Sequence, residues 1–191
     1  DNIDVLEKIF SKSSMLIAAH CEDETIIQNN LKKAKKRFGD NIPIFEHHKI
    51  RSSEACFKSS SMAVELAKKY NTRLHVFHLS TEKEIELFDN KTPLKDKRIT
   101  AEVCIHHLWF DANNYKEKGA LIKWNPAVKT EREKKALFQA LLDDKLDVIA
   151  TDHAPHTLKE KTNSYLKAPS GGPLVQHALP AMLEFAKNGK I

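Results

Sequence analysis

The sequence predicts an α/β fold with parallel strands, and three observations carry that expectation. Short apolar runs alternate with helical patterns along the chain, an order that implies parallel strands joined by right-handed crossovers. Several of these runs stop abruptly at histidine or aspartate, the placement that parallel α/β folds give their chemistry. Five glycines in 191 residues are few for an all-β protein with many tight turns.

The elements follow in order. Ile3, Leu6, Ile9 and Phe10 recur at helical spacing over residues 3–10. Met15 to Ala19 is the first apolar strand and ends in His20-Cys21-Glu22-Asp23. Residues 24–38 return as a helix, with Ile26, Ile27, Leu31, Ala34 and Phe38 inward and Gly39-Asp40-Asn41 as its stop. Residues 43–53 read as loop and hold His47-His48; Ser52 or Ser53 then caps a long helix through Lys69. Leu74 to Phe77 is the second strand, ending in His78-Leu79-Ser80-Thr81. Thr81 followed by Glu84 has the form of a capping box for a helix running to Phe88. Ile99 to Ile105 is the third strand, ending in His106-His107, and a less regular extended piece over Ala120–Trp124 leads into Asn125-Pro126. Thr130 and Glu133 open a helix over 131–142. Leu146, Val148, Ile149 and Ala150 form a fourth, buried strand, which Pro155 forces to stop. Residues 157–172 read as loop, and 174–186 as a last helix.

Composition narrows the classes. With 41% apolar and 30% charged residues the chain is an ordinary globular sequence, long enough to bury a core. No run approaches the ~20 apolar residues of a membrane span. The net charge of +5 comes from lysines scattered over helical faces, without the grouped arginines and aromatics of a nucleic-acid surface. Cys21, Cys56 and Cys104 are odd in number and far apart, with no CxxC pair, which fits reduced thiols and a cytoplasmic location. There is no Gly-rich turn after the first strand and no P-loop, so a nucleotide site is unsupported.

His20, His78 and Asp152 each end a strand. Parallel strands bring their carboxyl ends to one face, where residues 58 and 74 positions apart converge. Imidazole and carboxylate suit zinc and similar divalent ions, and a carboxylate beside an activated water takes its proton. Any one of these residues alone reads as a packed histidine or a helix-capping acid; the three in register read as a metal site.

The segments His20-Cys21-Glu22-Asp23, His78-Leu79-Ser80-Thr81, Asn125-Pro126 and Thr151-Asp152-His153-Ala154-Pro155-His156 resemble dihydroorotase, a cyclic amidohydrolase of the amidohydrolase superfamily. The match runs from about residue 15 to residue 183, and the Asp-His-Ala-Pro-His run is its most specific part. The resemblance implies a TIM (β/α)8 barrel of the metal-dependent hydrolase type, with strands five to eight in this chain. It implies zinc-dependent, reversible hydrolysis of L-dihydroorotate to N-carbamoyl-L-aspartate in pyrimidine biosynthesis. His20 and His78 match metal ligands of a binuclear zinc pair, and Asp152 matches a ligand that is also the general base and acid. Asn125 and His156 match residues that bind the dihydroorotate ring and its carboxylate; Ser170 and Gly171 fall where loop backbone reads the pyrimidine edge. The partner implied is a small-molecule substrate, with neither nucleic acid nor membrane, and a homodimer is the oligomeric expectation.

Departures from the family pattern are also visible. Asn125-Pro126 continues as Ala127-Val128-Lys129 where the family often has Pro-Leu-Arg, and Gln176-His177 replaces a common Glu-Thr. The family's first-strand His-x-His, the arginine after it and the fourth-strand bridging carboxylate have no match. His47-His48 and His106-His107 are adjacent pairs, whose side chains would diverge on a strand. A whole barrel takes ~250 residues, so residues 1–191 are expected to be one partial barrel domain, the second half of a longer enzyme and inactive alone. The alternatives are a dihydropyrimidinase, hydantoinase or allantoinase, or a non-catalytic homologue acting as a scaffold.

Overall fold

A computed structural model describes residues 2–191. Four strands form one parallel sheet in the order β1 (Ile17–Ala19), β2 (Leu74–Val76), β3 (Ile99–Cys104), β4 (Val148–Ala150). Ala18 pairs with His75 and His75 with Thr100, while Cys104 pairs with Ala150. Sequence order and spatial order coincide, as in one arc of a (β/α)8 barrel.

Helix α1 (Ile3–Lys12) precedes β1, and α2 (Glu24–Phe38) follows it, capped by Asp23, whose side chain accepts from the Ile26 N–H at 2.9 Å. The segment expected as loop over 43–53 is instead a 3-10 turn, Ile44–Glu46, running into the short helix α3 (His47–Ile50). Pro43 opens it with a fixed φ of −64°, which suits a helix start. Ser52 caps α4 (Ser53–Tyr70), and Asn71, with φ 52°, ends it in the left-handed conformation that asparagine tolerates. After β2 the α-helix α5 spans Glu82–Ile85, and i→i−3 turns carry the chain on to Phe88. The buried Glu84 carboxylate accepts from the Ser60 and Thr81 hydroxyls and the Ser80 N–H rather than closing a capping box.

β3 ends at Cys104, and His106-His107 belong to α6 (Ile105–Trp109) rather than to a strand end. A 3-10 turn, Ala112–Asn114, leads into α7 (Tyr115–Lys118). The extended piece expected over 120–124 is a 3-10 turn, Gly119–Ile122; Gly119, with φ 56°, ends α7 and turns the chain straight into it. Thr130 caps α8 (Glu131–Leu142), while the Glu133 carboxylate leaves its own helix start to accept from the Ser53 hydroxyl and the Glu82 N–H. The loop expected over 157–172 contains α9 (Leu158–Lys161), opened by a Thr157–Glu160 capping box. α10 (Val175–Lys187) closes the chain.

Strand residues alternate between two faces. Leu74, Val76, Ala101 and Val103 are fully buried against Ala63, Val64, Ala67, Leu137, Ala140 and Phe185 of α4, α8 and α10. The opposite face is polar: His75 Nδ1 meets Thr100 Oγ1 at 2.8 Å and its Nε2 meets Glu102 Oε2 at 3.0 Å. The expectation of a buried fourth strand is corrected: Val148 is 43% and Ile149 39% exposed, because β4 has only β3 as a neighbour.

β1 likewise has one neighbour, and Leu16 beside it is exposed. Unpaired edges flanked by apolar side chains recruit other strands. A polypeptide of residues 1–191 alone is therefore expected to self-associate, or to bind strands that complete the barrel. Sedimentation velocity over a tenfold concentration range checks this, and a monodisperse monomer would contradict it.

Candidate functional site

The register places His20 one residue beyond Ala19, His78 two beyond Val76, and Asp152 two beyond Ala150. All three stand at the carboxyl end of the sheet. His20 Nδ1 lies 2.9 Å from His78 Nε2, with the rings edge to face at 4.7 Å. Asp152 is half-buried, and its carboxyl is pushed up by burial and by the charge of Glu102, against an opposing pull from His20. Among the described residues, four non-glycine positions have positive φ: Asn71, His78, Asp144 and Asp152. Asn71 and Asp144 end helices, where this conformation is routine. His78 (φ 36°) and Asp152 (φ 45°) hold it at strand ends, and such strain clusters at functional sites.

Burial, and then the neighbouring charge of His20, lower His78 to about 4, so its ring is neutral at pH 7 and able to ligate. Its Nδ1 is a buried nitrogen without a partner among the described residues. Two imidazoles in contact, an unpartnered ring nitrogen and a carboxylate close enough to sense them fit a divalent metal such as zinc.

Two further carboxylates join this cluster and were not singled out from the sequence. Glu102 Oε1 accepts from the His78 N–H at 3.2 Å. Its signal was an acid in the middle of an otherwise apolar strand, between Ala101 and Val103. Glu22 is buried and lies 3.1 Å from His20 Nε2, while Arg51 pairs with the same carboxylate oxygen. Burial alone would raise Glu22; the His20 hydrogen bond and the Arg51 charge override it and hold the carboxyl below its usual range. Glu22 thereby orients His20, as partners of metal-binding histidines do. No sequence pattern pairs Arg51 with Glu22.

The residues expected to meet substrate come together as a second group. Ser170 Oγ donates to Asn125 Oδ1 at 3.0 Å, and His156 Nε2 contacts the Ser170 carbonyl at 3.1 Å. Since a carbonyl only accepts, His156 Nε2 carries the proton. Gly171 has φ +129°, and a Cβ there would stand 2.6 Å from the Ala154 carbonyl oxygen, so this close approach requires glycine. The Gly171 N–H donates to the Lys123 carbonyl at 2.8 Å, which leaves the Ser170 N–H as the backbone donor of this pair without a partner among the described residues. Asn125 and Ser170 line a cleft of about 180 Å³ together with Arg51, Lys123 and Tyr165. A larger hollow of about 670 Å³ lies between α6, α8 and α10 and holds none of these residues.

The adjacent histidines behave differently from the strand expectation. In the helical turn of α6 their rings sit 4.1 Å apart, and with Cys104 their ligand atoms lie within 4.8 Å of one another. His107 Nε2 donates to the Pro126 carbonyl, and His106 stacks on Trp124 at 4.3 Å. Burial, reinforced by the charges of Glu102 and Asp152, keeps the Cys104 thiol protonated. As it stands the group packs the floor beneath Asn125-Pro126, and binding an ion there would first require loss of that proton.

His47 Nε2 donates to the Trp124 carbonyl at 2.7 Å, and its Nδ1 accepts from the Tyr165 hydroxyl at 3.0 Å. Burial depresses its pKa to about 3, against a smaller opposing pull from the Trp124 carbonyl. The unfolded chain protonates His47 at about 6.5 and the folded chain does not, so stability falls as pH drops below 6.5 and continues falling to about 3. In the protein carrying this chain, lowering pH from 7 to 5 is expected to cost about 2 kcal/mol through this residue. Urea melts at both pH values check it: His47→Gln starts less stable and loses less on acidification. Equal losses in the two proteins would refute the assignment.

No family model matches the chain. The sequence is 30% identical over 192 residues to a dihydroorotase of Methanosphaera stadtmanae, covering 99% of this chain and 43% of that protein. It is 35% identical over 182 residues to a dihydroorotase of Macrococcus caseolyticus, covering 92% of this chain and 40% of that protein. The fold is similar to the L-hydantoinase (dihydropyrimidinase) of Arthrobacter aurescens, with a TM-score of 0.88 at 23% identity over 97% of this chain and 42% of that one. It is also similar to a dihydroorotase of Saccharomyces cerevisiae, with a TM-score of 0.65 at 16% identity over 98% of this chain and 66% of that one. The chain thus spans about 40% of the length of these curated relatives. With dihydroorotase relatives along nearly its whole length and parallel strands in barrel order, this chain is similar to the C-terminal portion of dihydroorotases and has the fold of a partial TIM barrel.

Proposed function

We propose that the protein carrying this chain is a zinc-dependent dihydroorotase, which opens L-dihydroorotate reversibly to N-carbamoyl-L-aspartate. The observation that carries this reading is the placement of His20, His78 and Asp152 at the carboxyl ends of β1, β2 and β4 of one sheet, together with the Asn125, His156 and Ser170 group. The first group suits hydrolysis of an amide; the second offers hydrogen-bonding groups to a small polar ring. The dihydroorotase names of the relatives support the choice of ring.

His20, His78 and Asp152 would hold the metal, whose chemistry is to polarise the ring amide carbonyl and acidify water. The residues of the chain do the rest. Asp152 takes the proton of the attacking water as its oxygen bonds to the carbonyl carbon. The same carboxyl then returns the proton to the ring nitrogen as the C–N bond breaks. Glu102 and Glu22 keep the two histidines aimed, through the His78 N–H and through His20 Nε2. The His156 imidazole and the Asn125 amide would bind the substrate carboxylate and ring edge. Partners other than this small molecule are not required by the reading.

Asp152→Asn is expected to reduce turnover of dihydroorotate by several orders of magnitude, with a smaller fall in bound metal, because an amide accepts no proton. Steady-state rates alongside metal analysis check this, and normal turnover would remove Asp152 as the base. The same assay with hydantoin and dihydrouracil in place of dihydroorotate separates this reading from a hydantoinase or dihydropyrimidinase.

His156→Ala is expected to weaken dihydroorotate binding by roughly 1.5–3 kcal/mol, the worth of a hydrogen bond to a charged group. Its metal content should stay unchanged. An unaltered Michaelis constant would make His156 solely a support for the Ser170 carbonyl.

A further inference from the structure

Lys123 and Lys161 are buried lysines, and neither has a carboxylate partner among the described residues. Buried ammonium groups without a counter-charge are costly unless every N–H finds an acceptor. Here the acceptors are main-chain carbonyls. Lys161 Nζ donates to the carbonyls of Lys123 at 3.1 Å, Pro169 at 3.0 Å and Gly171 at 2.8 Å. Lys123 Nζ donates to those of Tyr165 at 2.7 Å and Ala168 at 2.5 Å. Four of these five carbonyls belong to one short segment, residues 165–171, which carries Ser170 and Gly171. The Lys123 ammonium also lies 4.6 Å from the centre of the Tyr165 ring, an attractive placement for a cation.

A loop of this kind has few apolar anchors: Tyr165 and Ala168 are buried, while Leu166 and Lys167 are exposed. Its carbonyls point inward and would otherwise lack donors. We propose that Lys123 and Lys161 are positioning residues, a pair of ammonium clamps that fix the 165–171 loop so that Ser170 is presented toward Asn125 and His156 for substrate binding.

The clamp depends on charge as well as on reach. An ammonium has three N–H donors, and Lys161 uses all three. A neutral amine has two and turns a lone pair toward the third carbonyl. Burial lowers both lysines to about 8, helped for Lys123 by the charge of Arg51 and for Lys161 by that of Lys123. The groups facing them are the carbonyls named, the rings of Tyr165 and Trp124, neutral His47 and cationic Arg51. Tyr165, raised to about 12 by burial, is neutral at pH 9.5. Both lysines are held below their ordinary value of 10.5, so the clamp is intact below about pH 8 and loosens above it.

The kinetic part of this inference rests on the dihydroorotase reading; the part concerning the loop does not. In the protein carrying this chain, Lys161→Met, which removes all three of these donors, should raise the Michaelis constant for dihydroorotate about tenfold as the loop that presents Ser170 loosens. The turnover number and bound metal should change by less than threefold. Lys161→Arg should recover part of the affinity, because a guanidinium restores donors. Amide hydrogen exchange reads the loop directly. After correction for the intrinsic pH dependence, protection of residues 165–171 in the unmodified protein should fall at least tenfold from pH 7 to 9.5. Protection in α4 should hold over the same range. This measurement involves no variant that could misfold and no substrate. Unchanged loop protection at pH 9.5 would overturn the clamp, as would a Lys161→Met protein with an unaltered Michaelis constant. A protein that shows the exchange change but does not turn over dihydroorotate would retain the clamp and overturn the substrate assignment instead.

Discussion

Parallel pairing of four consecutive strands is the constraint on which this molecule depends. Because Ala19 pairs with Val76, Val76 with Ala101, and Cys104 with Ala150, the residues just beyond those positions are delivered to one edge of the sheet. The hydrogen-bond ladder fixes where the backbone ends, and the residues that follow inherit that placement. His20, His78 and Asp152 are far apart in sequence and belong to different βα units, yet none needs a dedicated contact to reach the same edge. Strain enters only after the ladder stops, at His78 and Asp152, whose left-handed backbones redirect the chain. Paired strands that have already packed Leu74, Val76, Ala101 and Val103 into the core can hold such residues at a cost of order 1–3 kcal/mol each.

The two faces of that sheet carry separate duties. The outward face is apolar and meets helices, and it supplies the stability. The inward face carries His75, Thr100 and Glu102 linked to one another, and it is half open in this chain. In a closed barrel such a face is enclosed by the remaining strands. Burial would then deepen, and the desolvation that already raises Asp152 and lowers His78 would grow.

The strand-end residues were legible in the sequence because each sits where an apolar run stops, and that signal needs only local pattern. The helices α2, α4, α8 and α10 were legible for the same reason, with caps at Asp23, Ser52 and Thr130. What escaped were features that depend on distant partners. Arg51 acquires meaning only when α3 brings it to Glu22, and Glu102 only when β2 and β3 align. Residues 120–124 carry enough apolar side chains for a strand, but Gly119 and the Tyr165 segment fold them into a turn. The buried lysines were the least legible of all. Lys123 and Lys161 look like solvated charges in a lysine-rich sequence, and only the carbonyls that surround them mark them as interior.

The loop after β4 ties the two halves of the site together. Asp152 stands on the strand end with the proposed metal-binding residues, and four positions later His156 contacts Ser170. Between them, His153 bridges to Gly172, and its Nδ1 accepts from the Val175 N–H at the start of α10. A displacement of the 165–171 loop therefore pulls on the same short run that carries Asp152. One run of seven residues, Ala150 to His156, carries both the proposed base and a proposed substrate contact; it is held by the β-ladder at one end and, at the other, by the Ala154 N–H on the Gly172 carbonyl and the His156 ring on the Ser170 carbonyl. In the proposed reaction the run that carries the Asp152 carboxylate also carries His156 four positions on, so the proposed reacting and binding groups are linked through a short stretch of backbone.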